Sequence, residues 1–141
     1  MLSRPITVHS LGEARAAAEA ALALSAPLIL HSAPGAGAYA GIAWFERLIA
    51  AVRSEHPSLA VTAVLDCGDA ADAVMSALRW LKEPGHGPIT LCFTGDAATA
   101  ERLSSMAAEI DVELVREMTP SLDLRGAANP LAASRDWMGA P

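Results

Sequence analysis

The stretch VTAVLDCGDAADAVMSALRW, residues 61–80, contains the change of pattern that decides the fold. Val61–Asp66 is an apolar run with little polar alternation, which is typical of a strand buried on both faces of a parallel sheet. From residue 70 onward the apolar side chains recur at helical spacing, as Ala70, Val74 and Ala77 show. The stretch therefore predicts one βα unit, in which a buried strand leads directly into an amphipathic helix.

The same unit repeats along most of the chain. Four helical patterns, over residues 10–24, 42–55, 70–81 and 100–110, separate five runs that we predict to be strands: Ile6–His9, Leu28–His31, Val61–Asp66, Ile89–Thr94 and Val112–Arg116. This alternation predicts an α/β fold with a mainly parallel, five-stranded sheet flanked by helices, as in a three-layer sandwich.

Two architectures fit this alternation when the crossovers are right-handed. The first is an open sheet of flavodoxin-like or Rossmann-like order, with helices on both faces. The second is a half-barrel of βα units that pairs with a second copy. We favour the open sheet because it needs no partner.

Two aspartates precede Ala-rich helical segments in matching contexts. Gly68-Asp69-Ala-Ala recurs as Gly95-Asp96-Ala-Ala, each time directly after a predicted strand. An aspartate at such a position accepts hydrogen bonds from the first amides of the helix and opposes its positive end. We therefore expect Asp69 and Asp96 to be helix caps.

The chain departs from the βα pattern after residue 118. Asn129-Pro130 is typical of an N-cap followed by the first residue of a helix. We therefore divide the chain into an α/β domain at residues 1–118 and a C-terminal extension with a short helix at residues 119–141. The apolar pair Trp137 and Met138 is expected to dock, either on its own domain or on a second copy, and the second alternative predicts a homodimer.

Composition excludes several classes of partner. Sixteen acidic and ten basic residues give a formal net charge of −6, which argues against nucleic acid and against an anionic membrane surface. Cys67 and Cys92 form no Cys-x-x-Cys pair and are too few for a disulfide scaffold. The chain shows no signal-peptide pattern, and charged residues interrupt every apolar stretch well before the roughly 20 residues of a membrane span. These features predict a cytoplasmic protein.

Three chemically versatile side chains lie at the carboxyl ends of predicted strands. Ligands of α/β sheets bind outside the carboxyl ends of the strands, and that rule selects His9, His31 and Asp66. Two imidazoles and a carboxylate suit acid–base catalysis or a divalent metal. Each histidine could equally bond a nearby loop, since no helical His-x-x-x-His pair supports coordination. We therefore name the three as candidate catalytic residues and assign neither a metal ligand nor a cofactor.

A glycine-rich loop, PGAGAYAG at residues 34–41, is the segment closest to a ligand motif. Its spacing fits the G-x-G-x-x-A outline of a dinucleotide site, although three residues, Ser32 to Pro34, separate the predicted strand from the first glycine. A simpler anion site at the loop amides and a flexible connection are the alternatives. The Cys67 thiol could be reactive, because a helix N-terminus lowers the pKa of a nearby thiol, but the adjacent Asp66 and Asp69 would raise that pKa again. The candidate ligand-binding residues are Ser32, Gly35, Gly37, Tyr39, Cys67 and Thr94.

Three functions are compatible with these features. The first is a binding module that holds a small polar or anionic ligand at the carboxyl ends of the strands. The second is an acid–base or metal-assisted enzyme that uses His9, His31 and Asp66. The third is a non-catalytic, self-associating structural or regulatory subunit. We favour the binding module because it needs fewer coincidences than catalysis does.

Overall fold

The computed structural model describes residues 3–140, which form an α/β fold with a parallel sheet and confirm the alternating βα units. Met1, Leu2 and Pro141, at the ends of the two predicted segments, lie outside the described residues. The strands are β1 (Ile6–Thr7), β2 (Leu28–His31), β3 (Val61–Asp66), β4 (Thr90–Cys92), β5 (Leu114–Val115) and β6 (Leu122–Asp123). The helices are α1 (Leu11–Ala23), α2 (Ala36–Tyr39), α3 (Ile42–Glu55), α4 (Ala71–Lys82), α5 (Ala97–Ala108) and α6 (Pro130–Gly139). Within residues 3–140, none of the helices combines the length and apolarity needed to cross a bilayer.

The strands lie in the order β5-β4-β3-β2-β1-β6, and every neighbouring pair is parallel. From β1 to β5 the chain crosses the sheet without reversing direction, as it does in the half-barrel alternative and unlike in the flavodoxin-like order. With right-handed crossovers, such a progression places every connecting helix on one face. The contacts agree, because α1 packs against α3, α3 against α4, α4 against α5, and α6 against α1.

The two faces of the sheet differ in composition. On the helix side, Leu30, Leu65 and Leu91 are completely buried in one apolar core. In each strand, the residues next to these leucines in sequence face away from the helices. The register of the strands aligns these residues across the sheet. None of the apolar side chains on this helix-free face belongs to the core cluster. The face carries Thr7, Ile29, His31, Thr62, Val64, Asp66, Thr90, Cys92 and Val115.

A sixth strand, which the sequence pattern did not indicate, extends the sheet beyond β1. The chain reaches it from β5, at the opposite edge, through residues 116–121, which we call the strap. The strap lies over the helix-free face, where it contributes one wall of a cavity. At one end Arg116 Nε donates to the Phe93 carbonyl (3.0 Å), and at the other the hydroxyls of Thr7 and Ser121 lie 2.6 Å apart. The strap is therefore held at both ends.

The C-terminal helix docks on its own domain. Asn129 Oδ1 accepts the Ala132 N–H (3.0 Å) and caps α6, as predicted. The helix packs against α1, Trp137 Nε1 donates to the Pro5 carbonyl (2.8 Å), and Met138 is buried. The apolar pair that motivated the homodimer is thus accommodated within one chain, and self-association stays a prediction.

The two matching aspartates have different roles. Asp96 caps α5, since its Oδ2 accepts the Thr99 N–H (3.0 Å). The prediction for Asp69 is wrong: α4 begins at Ala71, and its N-cap residue, Ala70, makes no side-chain cap. The Ala70 N–H donates to the Cys67 carbonyl (3.1 Å), and this turn places Asp69 one residue before the cap position.

We expect Asp96→Ala to lower the melting temperature by a few degrees, because it removes an N-cap. The matched substitution Asp69→Ala should leave the melting temperature unchanged. Hydrogen bonds from Thr99 lower the pKa of Asp96, so the difference between the two variants should shrink as pH falls and the carboxylate is protonated. Calorimetry of both variants measures the difference, and an equal loss for both would contradict the assignment.

Candidate functional site

Asp66, at the carboxyl end of β3, holds two loops together. Its Oδ2 accepts the Gly35 N–H (3.2 Å), and its Oδ1 accepts the Gly68 N–H (2.9 Å). Its own N–H donates to Ser32 Oγ (2.9 Å), and that hydroxyl donates to the Ala33 carbonyl (3.0 Å). The carboxylate therefore occupies the Gly35 amide, which the predicted anion site would use.

The glycine loop does not have the geometry of a dinucleotide fingerprint. It forms the four-residue helix α2, and α3 begins separately at Ile42. The fingerprint requires a glycine turn that opens directly into the long helix. Gly37 lies instead against β3, where an added Cβ would be 2.6 Å from Cys67 Sγ and 3.1 Å from Cys67 Cα. Glycine at this position permits close packing.

The structure does not support a reactive thiol at Cys67, and Asp66 raises its pKa, as expected from the sequence. The thiol is almost completely buried, and burial, together with the charge of Asp66, raises its pKa to about 12. Burial and the same carboxylate raise the pKa of Cys92 to about 11. Because the thiolate is the nucleophilic form, neither cysteine is activated for catalysis.

We expect Gly37→Ala to lower the free energy of unfolding by about 1–3 kcal/mol, because the new methyl group overpacks the contact between α2 and β3. Introducing Cys67→Ala into this variant should recover part of the loss, since it removes the closest clashing atom. Urea unfolding of the single and double variants measures both effects. Additive losses in the double variant would contradict the contact.

Two further candidates lie at the surface. The Tyr39 side chain is 69% exposed. Thr94 is also exposed, and its backbone N–H donates to the Gly68 carbonyl (2.8 Å). This hydrogen bond connects the loops after β3 and β4, and it is made by the backbone of Thr94 and not by its side chain.

His9 is held by residues of the C-terminal extension. Its Nε2 lies 2.6 Å from Asp123 Oδ1, and Arg125 Nη2 lies 3.2 Å from its Nδ1. Arginine can only donate, so Nδ1 accepts this hydrogen bond and Nε2–H donates to Asp123. Burial raises the pKa of Asp123, but the Arg125 amide and the His9 ring outweigh it and lower the pKa overall. Both ring nitrogens of His9 are thus engaged within the protein.

The structure therefore does not place the three candidate catalytic residues together as one group. His31 and Asp66 are neighbours on β2 and β3, whereas His9 is bonded on the β6 side of β1. Within residues 3–140, no three His, Cys, Asp or Glu side chains are grouped so as to hold a metal ion. The predicted residues thus do not assemble a metal centre.

His31 differs from the other candidates because its ring lacks a hydrogen-bond partner. The residue is only 3% exposed, yet its ring makes no hydrogen bond with any of residues 3–140. Burial lowers its pKa, and the charge of Asp66 raises the pKa by a smaller amount. The ring is therefore neutral at pH 7, with one nitrogen as donor and the other as acceptor.

The His31 ring borders a cavity of about 150 Å³ between the helix-free face and the strap. We call it the strap cavity. This volume is comparable to that of protein cavities that hold a benzene molecule. The other residues that line it are mostly apolar and come from both the sheet and the strap: Pro5, Ile29, Val64, Val115, Glu117, Met118 and Thr119.

A larger cleft, of about 440 Å³, lies at the amino ends of β3 and β4. Its main polar side chains already have partners. Arg53 Nη2 donates to the Val61 carbonyl (2.9 Å), and His86 Nδ1 lies 2.6 Å from Glu46 Oε2. The strap cavity is smaller, but it combines empty volume with an unpaired buried imidazole.

The residues around the strap cavity, apart from His31, were not singled out by sequence reasoning, because the strap follows no periodic pattern. The sequence contributes one threonine to each of three strands, Thr7, Thr62 and Thr90, and only the register of the strands aligns them on the face without helices. Comparison with known proteins assigns no function to this site. No protein-family model matches the chain, and no curated protein matches its sequence.

Proposed function

We propose that the protein is a binding module that holds a small polar molecule in the strap cavity, with the His31 ring as its hydrogen-bond partner. The observation that carries this proposal is the His31 imidazole, which belongs to a residue only 3% exposed, borders the cavity and makes no hydrogen bond with any of residues 3–140. Leaving such a group unsatisfied costs about 1–3 kcal/mol. A ligand that supplies the missing hydrogen bond recovers this free energy, which gives the cavity a specific affinity for polar molecules.

The surroundings support a preformed site. The strap is bonded to Phe93, directly after β4, at one end and to Thr7 of β1 at the other, so the cavity does not depend on a free loop. Asp66 fixes the loops after β2 and β3. Small-molecule sites are commonly preformed, mostly apolar and provided with a few polar groups. One imidazole among apolar side chains matches this description.

The catalytic hypothesis has less support from the same contacts. Both ring nitrogens of His9 are occupied by Asp123 and Arg125. Both carboxylate oxygens of Asp66 already accept backbone amides. Acid–base catalysis needs a group that can reach the substrate, and among the three candidates this leaves only His31.

Proton–nitrogen correlation NMR spectra of the full chain, with phenol as a first probe, test the proposal. We expect the shifted amides to cluster at Ile29, Val64, Val115 and the strap. Val64→Met should suppress these shifts, because the longer side chain fills the cavity while His31 is retained. Thr62→Val, on the same face but outside the cavity wall, is the matched control and should preserve them. Shifts confined to the glycine loop would show that the proposed site is wrong.

A further inference from the structure

We infer that the strap cavity selects neutral hydroxyl compounds with a compact apolar body, the chemical class of phenol and cyclohexanol. This inference rests on the proposed function and specifies its ligand. It follows from three properties of the cavity: the hydrogen-bonding capacity of His31, the charges around it, and its size.

The neutral imidazole favours a hydroxyl group. One nitrogen of the ring donates a hydrogen bond and the other accepts one. A hydroxyl group can do either, so it satisfies whichever nitrogen faces the cavity. An ether or a hydrocarbon of equal size lacks one or both of these capacities, and a hydrocarbon leaves the ring unpaired.

The charges around the cavity disfavour an anion. Glu117 lines it, and Asp66 is close enough to affect the pKa of His31. None of the lining residues is a lysine or arginine. The nearest arginine in sequence, Arg116, donates to the carbonyls of Phe93 and Gly95 and lies 5.9 Å from the centre of the Phe93 ring. A carboxylate or phosphate would thus meet negative charge without a compensating cation.

An ammonium group is disfavoured for a different reason. It would have to give up its water to enter an apolar cavity, which costs several kcal/mol unless a charged partner replaces the water. Asp66 is not among the residues that line the cavity, and its carboxylate is turned to the Gly35 and Gly68 amides. Glu117 is exposed, so solvent weakens any ion pair that it forms.

The volume fits an apolar body of about one six-membered ring. About 150 Å³ is bounded by Ile29 and Val64 on the sheet side and by Met118 on the strap. Methionine adapts its shape to an irregular neighbour, so planar and puckered rings are both acceptable. The class is therefore defined by one hydroxyl on a compact ring.

Titrations of the full chain, followed by NMR, with five probes of similar size test this selectivity: phenol, cyclohexanol, benzene, benzoate and benzylammonium. We expect phenol and cyclohexanol to bind with dissociation constants at least tenfold lower than those of the other three. Glu117→Gln should increase the affinity for benzoate, because it removes a negative charge from the cavity wall. His31→Leu should abolish the preference for phenol over benzene.

The outcomes separate the inference from the proposed function. Benzoate or benzylammonium binding at the strap cavity as tightly as phenol would overturn the inference and leave the binding module in place. Benzene binding as tightly as phenol would show that the hydroxyl is not recognised, which also overturns the inference. If no probe shifts the amides around the cavity, both the inference and the proposed function are wrong.

Discussion

Asp66→Ala is expected to lower the free energy of unfolding by about 3–5 kcal/mol. The substitution removes an acceptor that receives hydrogen bonds from the Gly35 and Gly68 amides. Hydrogen bonds to charged groups contribute about 1.5–3 kcal/mol each, and the two amides lose their acceptor at the same time. Urea unfolding at pH 7 measures the loss.

Asp66→Asn provides the graded comparison. Its side-chain oxygen can accept one of the two amides, while its NH₂ group faces the other, so an intermediate loss is expected. Asp69→Ala, three residues further along and exposed, is the neutral control. A loss of less than 1 kcal/mol for Asp66→Ala would mean that the glycine loop is held by other contacts, and the account of this junction would be wrong.

His31→Leu is expected to raise the free energy of unfolding by about 1–2 kcal/mol and to weaken phenol binding more than tenfold. An apolar side chain of similar size removes a buried polar group that lacks a partner, which stabilises the fold. The same change removes the hydrogen bond to the ligand. A stabilising substitution that abolishes binding is typical of a functional residue kept at the expense of stability.

Measuring both quantities on one variant distinguishes the two roles of a buried histidine. A residue that serves the fold would show a loss of stability on substitution, and phenol binding would then fall only because the fold is weakened. Urea unfolding gives the first quantity and the NMR titration gives the second. A loss of more than 1 kcal/mol for His31→Leu would contradict the absence of a partner within residues 3–140.

The pH dependence of stability gives an independent check on the same ring. Burial lowers the pKa of His31 in the folded state below its ordinary value of 6.5, so the unfolded chain binds a proton first as pH falls. Protonation of the ring therefore does not lower the stability of the fold above pH 6.5. Below pH 6.5 it lowers the stability progressively, because the unfolded chain binds the proton more tightly. As pH falls below 6.5, the wild-type chain should lose stability more steeply than His31→Leu. Parallel profiles for the two proteins would contradict the burial of a neutral ring.

Local patterns predicted most of the elements. The bounds of β2 and β3 agree with the apolar runs Leu28–His31 and Val61–Asp66, and Asn129-Pro130 marks the start of α6. These features depend on neighbours in sequence, such as a run of apolar residues or a cap beside its helix. Patterns of that kind can be recognised without knowing how the elements are arranged.

The order of the strands could not be predicted in this way, because it depends on contacts distant in sequence. The β6 strand has two residues, and its position beside β1 decides where the strap runs. The two identical Gly-Asp-Ala-Ala segments also differ for a reason that the sequence does not show. Asp96 caps its helix, whereas the turn closed by the Ala70 N–H and the Cys67 carbonyl places Asp69 one residue before the cap position.

The position of His31 shows why the candidate site could be predicted only in part. The rule of carboxyl strand ends identified the residue itself. The apolar run around it indicated burial on both faces, although helices cover only one of them. Thr7, Thr62 and Thr90 each lie on the face without helices, but the sequence contributes one threonine per strand, and only the register of the strands aligns them.

The most direct measurement is the NMR signal of the His31 ring nitrogens in the full chain, recorded without ligand and during a phenol titration. Without ligand, the signals should correspond to a neutral ring at pH 7. On addition of phenol they should shift together with the amides of Val64, Val115 and the strap, with one dissociation constant for all. Ring signals that do not change while phenol shifts amides elsewhere would contradict the assignment of His31 as the ligand's partner.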